Sequence, residues 1–194
     1  MADWAKQYGC AGAGVETMYS PHQVPWTITG AQALLKEVNR ISKAPFYLSI
    51  DVGHQVGQSR FTKSALDDTE LNQYLFSGPE DSRTENWLEQ LGCYSPIVHL
   101  QQTDGTSSKH LPFTPENNAF GVINGEMVLE ALRRSYETIP EGDMPPKTQK
   151  IFLTLEIFSG TADKAEDIIS NLTKSVEYWR RYIPEDGMTL DQLS

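Results

Sequence analysis

Four short runs of apolar residues interrupt a chain whose other apolar positions recur every three or four residues. The runs lie in AGAGVETMYS, FYLSID, SPIVHLQQTD and KIFLTLEIF, and each predicts a strand. Helical spacing dominates between them. ADWAKQYGC reads as the end of a helix closed by Gly9. From about Thr29 a helix carries Ala33, Leu34, Val38 and Ile41 at helical spacing. A long connection after FYLSID contains TELNQYLF and then the helix SRTENWLEQLG, where Ser82 and Glu85 have the spacing of a capping box. After a loop with SSKHLPFTPENN, NGEMVLEALRRSYETI predicts a helix. KAEDIISNLTKSVEYWRRYI predicts the last one, and residues 185–194 form a polar tail.

Strand and helix therefore alternate through four units, an α/β pattern. The strands are continuous apolar runs, which predicts a parallel sheet buried on both faces with right-handed crossovers. Two architectures fit: an open doubly wound sheet, or part of a (β/α)8 barrel. No GxGxxG or GxxxxGK[ST] loop follows any strand, and AGAG around Gly12 and Gly14 precedes a strand end instead of opening a helix. The nucleotide-binding variants lose ground accordingly.

Composition narrows the function. The 194 residues suffice for one domain, 1–194, with a real core; 39% are apolar and 22% charged. A net charge of −10 argues against a nucleic-acid partner, which asks for a basic face. The start, MADWAKQYG, lacks the apolar centre of a signal peptide, and no apolar run nears the roughly 18 residues of a membrane span. Cys10 and Cys93 show no CxxC spacing and read as reduced, half-buried residues, so the expectation is a cytoplasmic protein without a membrane partner.

The strand ends carry the chemistry. The first strand ends in Glu16, the second in Asp51 with His54 beyond, the third carries His99 with Asp104 beyond, and the fourth carries Glu156. Parallel strands present their C-terminal ends on one face, where barrels collect their active groups. A lone strand-end acid is usually a cap or loop anchor, and a lone strand histidine a satisfied core residue. Glu156, however, stands between Leu155 and Ile157, and His99 between Val98 and Leu100. An unpaired carboxylate there is costly, and a shared cation would relieve both. Oxygen and nitrogen donors without thiolate suit Mn²⁺, Mg²⁺, Co²⁺ or Zn²⁺.

VETMYSPHQ, IDVGH, VHLQQTDG and LTLEIF, in this order, resemble the sugar phosphate isomerase/epimerase family. These are xylose isomerase-like TIM barrels related to ketose 3-epimerases and to endonuclease IV. The resemblance implies a metal-dependent isomerase that abstracts a proton next to a carbonyl of a sugar or sugar phosphate and stabilises the enediolate. It implies Glu16, Asp51, His99 and Glu156 as metal ligands, Glu16 and Glu156 as the acid/base pair, and His54 as a substrate contact. The arginine that ketose epimerases place about six residues after the metal histidine is replaced by Gly105. His22 and Trp26 after the first strand, Arg60 and Lys63 after the second, and Lys109 and His110 after the third are further pocket candidates. Each has an alternative: Trp26 as packing at the helix start, the cations as solvated residues. Endonuclease IV implies an alternative, a metal-dependent phosphodiesterase, although Ser108 stands in place of the aspartate of its Asp-x-His. A non-catalytic barrel fragment is the other.

A whole barrel takes ~250 residues and eight strands. The matched motifs all belong to strands five to eight, so the expectation is a C-terminal half barrel. Either a missing N-terminal half or a second copy would then close it.

Overall fold

Each predicted strand forms, β2 over the whole of its run and the other three over part of theirs: β1 (Ala13–Glu16), β2 (Phe46–Asp51), β3 (Ile97–Leu100) and β4 (Phe152–Leu155). This computed structural model of the chain describes residues 2–42, 44–61 and 77–192. TELNQYLF and Lys63 lie outside them. The helices are α1 (Ala2–Gln7), α2 (Ile28–Ile41), α3 (Thr84–Leu91), a single turn α4 (Pro115–Asn118), α5 (Gly125–Glu137) and α6 (Ala165–Arg180). Among the described residues, no helix is long and apolar enough to cross a membrane.

The helix starts follow local chemistry. Thr27, in extended backbone, accepts the Gly30 N–H on Oγ1 at 3.1 Å and opens α2. Asn124 does the same for α5 through the Met127 N–H at 2.9 Å. The Ser82–Glu85 capping box does not form. Pro79 starts a 3₁₀ turn, Pro79–Ser82, that ends where the box would begin. Asp81 is the capping carboxylate instead, accepting the Gly78 and Ile28 N–H groups, each at 2.7 Å. Ser82 Oγ donates to the Pro79 carbonyl. Gly9, at φ +73°, ends the first helical segment in the left-handed region that glycine tolerates.

The sheet is parallel, in the order β1-β2-β3-β4. Its outward residues, Leu48, Ile50, Val98 and Leu100, are buried with Leu35, Trp87, Leu88, Leu91 and Leu132 from the helices. α3 and α5 pack on each other over the middle of the sheet. The inward face differs from the expectation of burial on both sides. Phe152 is 61% exposed and Ile97 40%, with Tyr47 and Ser49 only half-buried, because no described element covers that face. A concavity of about 420 Å³ runs along it between Gly12, Tyr47, Ser49 and Ile97, with Glu16 in its wall. The cysteines also depart from expectation: Cys10 is exposed, and Cys93 is wholly buried beneath α5.

Candidate metal centre

Register brings the strand-end groups together. Asp51 aligns with His99, Glu16 with Ser49 one same-face step before Asp51, and His99 with Thr154 one same-face step before Glu156. All four side chains therefore project from the inward face at the C-terminal rim. One ligand atom from each of Glu16, Asp51, His99 and Glu156 lies within 4.8 Å of every other.

Asp51 is fully buried. Its Oδ1 accepts three hydrogen bonds, from the Gly53 N–H (2.7 Å), the His54 N–H (3.1 Å) and Gln101 Nε2 (2.7 Å). Its Oδ2 accepts none. His99 turns Nδ1 toward both outer glutamates, 3.1 Å from Glu16 Oε1 and 2.9 Å from Glu156 Oε2. Only the first has hydrogen-bond geometry, so Glu156 Oε2 is a second buried oxygen without a hydrogen-bonded partner.

The electrostatics express the same crowding. The hydrogen bond from His99 holds the Glu16 carboxyl below the usual carboxylate range, against the opposing effect of burial. That bond also raises His99. Burial, and next the approach of Asp51, push Glu156 up to about 7. Two adjoining carboxylates with an orphan oxygen each, beside one imidazole nitrogen, form a donor set that fits a hard or borderline divalent cation.

A second group, Asp51, His54 and His110, also has donor atoms within 4.8 Å of one another. Both histidines commit Nδ1–H to carbonyls: His54 to Thr17 at 2.8 Å and His110 to Glu156 at 3.1 Å. His54 Nε2 then stands 3.9 Å from Asp51 Oδ2. His110, at φ +49°, stacks its ring on Phe158 at 3.8 Å.

The remaining sequence candidates disperse. His22 is exposed on the loop after β1, in neither group. Trp26 is 3% exposed, so its ring belongs to the packing at the start of α2. Arg60 lies on the 3₁₀ segment Gln55–Phe61, with its side chain outside what is described. Lys109 pairs with Asp104 on the loop after β3. Sequence reasoning missed Gln101 and Gln102, both buried. Their signal was available: two consecutive amides directly after an apolar strand must find partners once buried.

No family model matches the chain, and no curated protein does. Among solved structures it is similar to the crystal structure of a putative xylose isomerase from Rhodospirillum rubrum, at 20% sequence identity and a TM-score of 0.65. The likeness covers 93% of this chain and 50% of that one, so the chain spans about half the length of the structure it matches. The shared feature is the fold: an α/β chain with a parallel four-stranded sheet of the TIM-barrel type, matching half of that chain.

Proposed function

We propose that the chain carries the metal-binding half of an isomerase or epimerase that acts on a sugar or sugar phosphate by moving a proton at the carbon next to a carbonyl. The observation that carries this reading is the convergence of Glu16, Asp51, His99 and Glu156, one from each strand or the residue just past it, around two buried carboxylate oxygens that accept no hydrogen bond. A divalent cation held by these four would polarise the substrate carbonyl and acidify the neighbouring C–H.

The protein groups have distinct tasks in that chemistry. Glu16 and Glu156 are the two carboxylates suited to take the proton from the substrate carbon and to return it. Glu16 ends β1 and Glu156 follows β4, with β2 and β3 between them, so a small substrate would lie between carboxylates that come from the two outer strands. Return of the proton to the opposite face yields an epimer; return to the adjacent carbon yields the aldose–ketose isomer. His54 Nε2, a lone-pair acceptor by its Nδ1 bond, receives a substrate hydroxyl. His110 lies beside it, with ring centroids 5.7 Å apart.

A further four-stranded βα half supplies the rest of the pocket wall. The support is the half-length match together with the exposed inward face. A second copy would instead double a charge of −10 and gather both sets of acidic ligands at one mouth, an arrangement that repulsion disfavours.

The test is exchange of substrate carbon-bound hydrogen in heavy water, across ketoses and ketose phosphates with Mn²⁺ added. Exchange is expected with wild type and should fall by ~10²–10⁴-fold in E16Q or E156Q; full exchange by E156Q sinks the assignment. Counting bound ions separates the alternative. One ion per chain agrees with this reading, whereas two would bring in the Asp51–His54–His110 group and favour a phosphodiesterase.

A further inference from the structure

Gln101 is the first residue beyond β3 and is wholly buried. Nε2 donates to Asp51 Oδ1 at 2.7 Å and to Ser108 Oγ at 3.0 Å. Oε1 accepts from the His110 N–H at 2.6 Å, the Lys109 N–H at 3.1 Å and Ser108 Oγ at 3.2 Å. One amide thus joins a ligand at the end of β2 to the loop that carries His110 in its left-handed conformation.

Gly53 belongs to the same device. Its φ is not in the left-handed region, so the turn after β2 does not itself demand glycine. A Cβ at this position would collide with the Gln101 side chain. The missing side chain makes the slot in which the amide lies.

Gln102, the next residue, is a natural control. It is equally buried, and it braces another loop by donating to Asn118 Oδ1 and the Ile123 carbonyl while accepting the Thr103 and Ile123 N–H groups. It touches none of the four candidate ligands.

We infer that Gln101 is a positioning residue: it fixes Asp51 with Oδ1 saturated and Oδ2 turned to the cation, and thereby couples cation binding to the order of the 108–110 loop. The inference rests on the metal reading above. A rigid, oriented ligand binds without first losing rotamer freedom, and partners of this kind typically govern affinity by ~10–100-fold.

The experiment measures Mn²⁺ affinity of the 194-residue chain by the electron paramagnetic resonance of free Mn²⁺, and amide exchange at Lys109 and His110 with and without the ion. Q101M is expected to weaken Mn²⁺ binding by ~10–100-fold, and G53A to weaken it through displacement of the amide. The double variant Q101M/G53A should be no weaker than Q101M, since both changes break one contact. In wild type Mn²⁺ slows exchange at Lys109 and His110, and in Q101M it does not. Q102M lowers thermal stability yet keeps Mn²⁺ affinity within about twofold of wild type. If Q101M does not fold, G53A and Q101N carry the same comparison. Mn²⁺ affinity unchanged in Q101M, or lost equally in Q102M, overturns the inference while the metal reading stands. A wild-type chain that takes up no Mn²⁺ overturns both.

Discussion

The two inner strands and the two outer strands carry the same number of candidate ligands and hold them in different ways. Asp51 and His99 rise from β2 and β3, which have strand neighbours on both sides and outward residues sealed beneath α2, α3 and α5. Glu16 ends β1 and Glu156 follows β4, strands that among the described residues have one strand neighbour each. The half-exposed side chains of β4 show how little covers that edge. The difference divides the labour. The inner pair is fixed by the buried scaffold and suits cation binding, while the outer pair, proposed as acid and base, sits at edges beside which no further strand is described.

The sharpest way to break this division is to compare one ligand of each kind. D51N should abolish Mn²⁺ uptake and hydrogen exchange together. E16Q should lower hydrogen exchange by ~10²–10⁴-fold, the usual weight of general acid–base catalysis, with a much smaller loss of Mn²⁺ affinity. Equal loss of Mn²⁺ in both variants would erase the distinction.

Stability offers the next contrast. Leu48→Ala, in the sealed layer, should cost ~2–5 kcal/mol in urea unfolding. Phe152→Ala, on the open face, should fall within ~0.5 kcal/mol of wild type in the isolated chain. When a complementary half covers that face, Phe152→Ala should become costly. A large loss in the isolated chain would show that something already covers β4.

A smaller effect comes from pH. Glu156 binds its proton more tightly in the folded chain, at about 7 against 4.5. Its contribution to stability is complete below about pH 4.5 and is lost as pH rises through about 7. His99, raised from 6.5, acts in the same direction above that value. Glu16, lowered, contributes above 4.5, and its share disappears only as pH falls through its lower folded pKa. In chelator the melting temperature should thus fall from about pH 5 to about pH 8, and E156Q should flatten the decline. Mn²⁺ should stabilise more as pH rises, because its ligands must lose their protons. A flat profile for wild type in chelator would contradict this.

Sequence and structure agree where a pattern is local or repeated. Four apolar runs separated by helical periodicity suffice for four parallel βα units. Glu156 and His99 stand out because a polar group inside an apolar strand has few inexpensive explanations. Partners distant in sequence were hidden. Nothing near Ser82 shows that Asp81 will cap the Ile28 amide 53 positions away, and nothing in IDVGH shows that Gly53 makes room for the amide of Gln101, just past β3. The exposed inward face had the same origin. Apolar strands imply burial on both sides, and only the three-dimensional arrangement reveals that the second cover is not among the described residues.

The placement of the four tryptophans gives the chain a built-in optical probe. Trp26, Trp87 and Trp179 are buried, and Trp87 donates its indole N–H to the Asp81 carbonyl at 2.8 Å. Trp4 is 67% exposed on α1, the helix that packs beside the outer strand β1. Fluorescence emission should therefore have two components. A short-wavelength part reports on the interior, and a long-wavelength part, quenched by dissolved iodide, arises from Trp4 alone. Covering the β1 flank should shift only the second part to the blue, so that docking there is seen in solution without any added label.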